Sequence, residues 1–273
     1  MNILIVDGNE KEASERYKKR GMATQYDVYS KVINKISNNE FNVSVIHPAI
    51  TDDYLTNGLS LDDFDGIVWT GSLLNIYDMT PPILRQIDLA KNLFTKKNKI
   101  FGSCWGLHVL VTAAGGKVRK NPNGLEAVVA KNIKLNENGI SHKLYKGKKD
   151  SFDAFCWHYD EAEFLPENSI VLSSNAKSKI QSVVFEKDQS HVWAVQYHPE
   201  FDPNWIAGLM EQRKEILLKE KAYNTEKEFI DQKNYFNSFK KLPNKYLEEK
   251  YSYLIDEKMH TLELANWIVY LRE

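Results

Sequence analysis

Cysteine is scarce. Cys104 and Cys156 are the only two in 273 residues, too few for a disulfide framework, and a cytoplasmic location is expected. Long apolar runs are missing too. No stretch approaches the roughly 18 uninterrupted apolar residues of a membrane-spanning helix. The opening MNILIVDGNEKE lacks the basic region and small-residue cleavage site of a secretory signal. There is no charge excess of either sign: 36 Lys and Arg against 37 Asp and Glu give a formal charge of -1. A nucleic-acid partner would show a basic excess or stripe, so neither nucleic acid nor membrane is expected. The chain has no Gly-x-x-x-x-Gly-Lys-Ser/Thr loop or other nucleotide fingerprint, no internal repeat and no low-complexity tract. Cys156 and His158 lack the second pair of ligands a tetrahedral metal site needs, so no metal and no cofactor are predicted.

What is present is the composition of a globule, 42% hydrophobic and 27% charged. Asn2 to Gly8 reads as a buried parallel strand running into a turn. Residues 9 to 24 are polar and irregular. Tyr26, Tyr29, Val32, Ile33 and Ile36 share one helical face. Phe41 to Ile46 and Asp65 to Gly71 read as further strands. A helix should start at Pro81-Pro82, since proline suits a first helical turn. Lys99 to Gly102 is a fourth strand that leads into an apolar helix, Leu107 to Ala114. Shorter β-like runs come next at Val128 to Leu135, Ser169 to Ser173, Gln181 to Glu186 and Val192 to Gln196. From Glu211 to Glu257 ten Lys/Arg balance ten Asp/Glu, as in a solvated helical appendage. Leu262, Ala265, Trp267, Ile268 and Leu271 would dock its end. Strand-helix alternation over the first 115 residues predicts a mainly parallel sheet covered on both faces. Chemistry in such sheets sits at the carboxyl ends of strands.

Two motifs fall at strand ends. Gly102-Ser103-Cys104-Trp105-Gly106 has the form Gly-x-nucleophile-x-Gly between a strand and a helix. The glycines allow a strained nucleophile to sit against close neighbours. The helix N-terminus would favour the thiolate. The second motif is His198-Pro199-Glu200, beyond the run Trp193 to Tyr197. A thiol nucleophile needs a base, and the base needs an orienting partner. Cys104, His198 and Glu200 supply each role once.

FGSCWGLHVL and VQYHPEF resemble the nucleophile and His-x-Glu motifs of the class I, triad-type glutamine amidotransferases, and the likeness covers roughly residues 1 to 205. It implies a flavodoxin-like three-layer αβα sandwich over 1–207, with 208–273 as a charged C-terminal helical extension packed on it. It also implies attack by Cys104 on the γ-amide of glutamine or another γ-glutamyl small molecule, with a thioester intermediate. Trp105 would give one oxyanion N–H, and the loop Trp69 to Leu73 another through Gly71 and Ser72. That loop departs from the family's commoner Gly-Gly-Pro. Cys156 to Asp160 resembles a segment whose backbone grips the substrate's amino-acid end, which brings in Trp157, His158 and Asp160. His108 stands where the family usually has Gln, one turn beyond the nucleophile. It retains hydrogen-bonding capacity, and a charge near pH 6.5 is open to it.

The family contains stand-alone γ-glutamyl hydrolases and amidotransferases, such as that of GMP synthase, that feed ammonia to a synthetase. About 65 residues after 205 are too few for a second catalytic domain. The nitrogen is therefore either released or passed to a separate synthetase subunit. A catalytically silent binding or regulatory subunit is the alternative of a different class. The segment Asn9 to Gln25, at the active-site end of the sheet, is a candidate lid or specificity wall.

Overall fold

The computed structural model describes residues 1–55, 58–238 and 245–273, with the backbone alone for 245–248. Strand β1 is Asn2–Val6, buried on both faces as its unbroken apolar run requires. The polar segment after it is more regular than its pattern suggests. Lys11–Lys18 is a helix, α1, of which Ala13, Ser14 and Tyr17 are buried. Helix α2, Gln25–Ile36, starts at a Thr24 capping box closed by Asp27 and buries Val28, Tyr29, Val32 and Ile33. Strands β2, Asn42–Ile46, and β3, Gly66–Trp69, flank β1 in parallel. Helix α3, Pro81–Phe94, carries proline in its first turn. Strand β4, Lys99–Ser103, and helix α4, Trp105–Ala113, succeed each other without a loop.

The middle of the chain is β-rich, as expected, and holds three strands that the pattern did not mark: β5, β7 and β8. They belong to the series β5 (Lys117–Lys120), β6 (Glu126–Leu135), β7 (Ser151–His158), β8 (Asp160–Phe164), β9 (Ile170–Ser174), β10 (Ser182–Lys187) and β11 (Ser190–Val195), with the short helix α5 (Glu137–Ser141) after β6. The main sheet has nine strands in the order β2-β1-β3-β4-β11-β10-β9-β6-β7. From β2 to β11 every neighbouring pair is parallel, and from β11 onward every pair is antiparallel. The parallel half with helices on its faces is the flavodoxin-like core. Its central strands β4 and β11 pair through Gly102↔Ala194 and Ser103↔Val195, so the segments beyond the two strand ends emerge side by side.

Helix α6, Pro203–Gln212, runs across the expected boundary at 207 and buries residues on both sides of it, among them Ile206, Ala207, Leu209 and Met210. Helices α7 (Lys214–Lys219), α8 (Glu226–Ser238), α9 (Lys245–Ile255), α10 (Glu257–His260) and α11 (Leu262–Leu271) complete the chain. Lys240 and Lys241 of the charged stretch lie outside the described residues. Trp267, Ile268 and Leu271 dock as expected, joined by Leu264, and pack with Ile3, Ile5, Val68 and Phe101 of the sheet. Leu262 and Ala265 are only half-buried. No helix among the described residues is long and apolar enough to cross a membrane.

Candidate active site

Cys104 sits at the corner between β4 and α4 with φ 51° and ψ -101°. A left-handed conformation at a residue with a Cβ is strained and persists only where packing enforces it. Here the flanking glycines permit that packing. A Cβ on Gly106 would lie 2.8 Å from the Cβ and carbonyl oxygen of Trp69, and one on Gly102 would lie 2.8 Å from Gly106 and Leu110. The Cys104 N–H donates to the Val195 carbonyl at 2.8 Å, tying the corner to the end of β11. The thiol is 4% exposed and donates to the Trp157 carbonyl at 3.5 Å. Burial pushes its pKa up, and the nearby charges of Glu200 and Asp160 push the same way, against a hydrogen bond from the Trp105 N–H. The expected thiolate is therefore not the resting form: desolvation and two carboxylates outweigh the helix terminus.

Three residues beyond Val195, His198 donates from Nδ1 to Glu200 Oε1 at 2.6 Å. That hydrogen bond leaves Nε2 as the proton acceptor. The imidazole stacks on Phe201 at 4.0 Å, and Phe201 stacks on Trp205 at 3.8 Å. The His198 N–H donates to the Phe155 carbonyl. Glu200 is fully buried and receives a second hydrogen bond from Ser103 Oγ (3.3 Å), which in turn accepts from the Tyr29 hydroxyl (2.6 Å). Cys104 and His198 thus leave neighbouring strands at the same edge. Ser72, Leu73 and Trp157 line both the cleft holding Cys104 and the small cavity holding His198.

The loop after β3 faces this edge. The Gly71 carbonyl accepts from Asn9 Nδ2 (3.1 Å) and Thr70 Oγ1 (2.9 Å). A trans peptide sends its C=O and N–H in opposite directions, so the Ser72 N–H is turned away from those donors, and Ser72 lines the cleft. A Cβ on Gly71 would come within 2.6 Å of His198 Cε1 and of Gln25 Oε1. Only glycine fits beside the imidazole.

The cleft has a volume of about 330 Å³, and Trp105, His108, Trp157, His158 and Asp160 are all on its wall. They differ in freedom. His108 donates from Nε2 to Gln196 Oε1 at 3.0 Å, and burial lowers its pKa to about 4, so the ring is neutral at pH 7. The charge the sequence left open is not carried. His158 has both ring nitrogens engaged, with the Asp160 carbonyl and with Glu126 Oε2. Burial pushes the Glu126 carboxyl up, but hydrogen bonds from His158, Asn175 and Gln181 outweigh it and hold the group below its ordinary pKa. Asp160 accepts from the Tyr77 hydroxyl at 3.2 Å, and burial raises its pKa.

With this geometry in view, the comparisons with known proteins are specific. The profile of "Glutamine amidotransferase class-I" matches residues 25–211, more than half of the chain. The chain belongs to the class I glutamine amidotransferase family. It is 33% identical over 229 residues to a gamma-glutamyl-L-1-hydroxyisopropylamide hydrolase of Pseudomonas sp, covering 82% of this chain and 76% of that one. It is 24% identical to gamma-glutamyl peptidase 5 of Arabidopsis thaliana, over 64% and 68% of the two chains. A glutamine amidotransferase of Thermotoga maritima superimposes with a TM-score of 0.71 at 16% identity, covering 100% and 98%.

Several contacts of this amidotransferase-family site were not legible in its motifs, even where a motif contains the residue. Asn9 and Thr70 set the Gly71 peptide, Tyr29 and Ser103 extend the Glu200 hydrogen bonds, and Phe201 and Trp205 stack behind His198. Arg16 and Arg213 stand on the cleft wall. Asn9 and Arg16 fall in the candidate lid segment, which was the only signal pointing to them. Each of the others is an ordinary residue whose role comes from what it touches.

Proposed function

We propose that the protein hydrolyses a γ-glutamyl amide through a Cys104 thioester. The observation that carries this reading is the strained Cys104 at the tip of β4 beside the strand that delivers the His198–Glu200 pair. Because the resting sulfur is a thiol, His198 Nε2 must take its proton as the sulfur attacks the γ-carbonyl carbon. The N–H groups of Ser72 and Trp105 stabilise the developing oxyanion, each worth about 10²–10³ in rate by analogy with single oxyanion donors. The C–N bond breaks as His198 returns the proton to the leaving nitrogen, and ammonia or an amine departs. Water, deprotonated by the same imidazole, then attacks the thioester and releases glutamate and the thiol. Glu200 keeps the proton on Nδ1 and steadies the imidazolium. Neutral His108, with Nε2 engaged by Gln196, stands on the wall of the cleft.

The family membership and the likeness to a hydrolase and a peptidase of γ-glutamyl compounds support release of the nitrogen. Passage to an ammonia-accepting synthetase subunit would instead make glutamate release depend on that partner. The test is glutamate release from glutamine, γ-glutamyl alkylamides and γ-glutamyl dipeptides by the isolated chain. Cys104→Ala should abolish turnover, and His198→Ala should cost more than Glu200→Gln. A glutamine-mimicking electrophile should label the wild type once per chain and Cys104→Ala not at all. Absence of both turnover and labelling would leave a silent binding subunit. An essential carboxylate other than Glu200 would reassign the triad.

A further inference from the structure

Arg16, from α1, and Arg213, between α6 and α7, line the cleft that holds Cys104. Neither guanidinium is ion-paired with a carboxylate among the described residues, whereas Arg85, Arg119 and Arg272 are. Arg213 is half-buried, and its Nε–H is shut off from solvent without an acceptor. Burial lowers its pKa, Arg16 and Arg20 act in the same direction, and the hydroxyls of Tyr17 and Tyr159 oppose it. Arg16 is exposed to solvent and Arg213 half-buried, so two like charges share one wall and the buried Nε–H of Arg213 is left for an anion to satisfy. The carboxylate on the same wall, Asp160, is hydrogen-bonded to Tyr77 instead.

The place of this pair suggests which part of the substrate it meets. Both arginines lie outside residues 25–211, the span matched by the family profile. The glutamyl end of the substrate is common to the family, whereas the departing amine varies. Positions outside the matched span are not fixed by the family pattern and so suit the part that varies. From this we infer that Arg16 and Arg213 bind a carboxylate on the departing amine, so that the preferred substrates are γ-glutamyl amino acids rather than γ-glutamyl alkylamides or glutamine. Guanidinium groups match a carboxylate through paired, charge-assisted hydrogen bonds. This inference deepens the γ-glutamyl hydrolase reading and rests on it.

The test compares γ-glutamyl-glycine with γ-glutamyl-glycinamide, which differ only in that carboxylate. The wild type should favour the acid in kcat/KM by about tenfold or more, the order expected of one charge-assisted contact. In Arg16→Gln/Arg213→Gln the ratio should fall toward one, mainly through KM, and added salt should erode the preference of the wild type. A wild type that does not discriminate overturns the inference. So does a double variant that weakens both substrates equally, since the arginines would then serve the glutamyl end or the fold. Binding of both compounds to Cys104→Ala by calorimetry separates the two readings. Discrimination in binding with no turnover by the wild type would sink the hydrolase reading and leave the anion site standing. Turnover without discrimination would do the reverse.

Discussion

His108 shows how burial changes a residue's chemistry. A histidine in water has a pKa near 6.5, and here the folded value is about 4. The unfolded chain therefore binds a proton between those values that the native site does not. Stability rises with pH wherever the unfolded state holds more protons. The His108 contribution is thus fully present above pH 6.5 and is lost as pH falls toward 4. The shift corresponds to about 3 kcal/mol at roughly 1.4 kcal/mol per pH unit. His108→Gln, which removes the titrating ring, should flatten the pH dependence of unfolding free energy between pH 6.5 and 4 by that order. Urea titrations at several pH values measure this, and parallel curves for the two proteins would contradict it. The same burial favours the protonated form of Cys104, and the proposed mechanism accordingly gives His198 the task of taking that proton during attack.

At the scale of elements, helix α11 does more than cover the sheet. Glu263 is completely buried, accepts from the Tyr197 hydroxyl at 2.6 Å and pairs with Lys148 at 2.7 Å. Tyr197 also meets Tyr145 at 2.8 Å, and Tyr145 meets Ser173. Burial lowers the Lys148 pKa while Glu263 opposes it. This network braces the residue directly before His198. Glu263→Gln would leave Lys148 buried without its counter-charge, which typically costs about 3–5 kcal/mol. A double replacement, Lys148→Met with Glu263→Gln, should recover a large part of that loss. Chemical denaturation decides the matter, and a loss below about 1 kcal/mol for the single variant would show that the pair is not isolated from water.

At the scale of the whole molecule, residues after 207 share two buried clusters with residues before it. Leu209, Met210, Leu217, Phe229 and Phe236 share a buried cluster with Phe155, Val128 and Phe201. Trp267 and Leu271 lie against Gly66, where a Cβ would meet them within 3 Å. A chain ended at 207 would expose the Ile3, Ile5, Val68 and Phe101 face and cut α6 in half. We expect it not to fold, with loss of near-ultraviolet circular dichroism and rapid proteolysis. A cooperative, active fragment would show that the extension is separable.

The amino-acid sequence alone determined the parallel half of the sheet, since unbroken apolar runs and strand-helix alternation are local properties of the chain. It also marked Cys104, His198 and Glu200, because an elbow and a His-x-Glu pair need particular residue types at short spacing. Strands β7 and β8 were not legible: their side chains mix aromatic, polar and acidic groups, and pairing with distant partners decides their form. Tertiary structure alone decided the protonation of Cys104 and His108, the Tyr29–Ser103–Glu200 chain and the placing of Arg16 and Arg213 on one cleft wall. Desolvation and charge proximity depend on contacts between residues far apart in the chain, and no spacing rule encodes them.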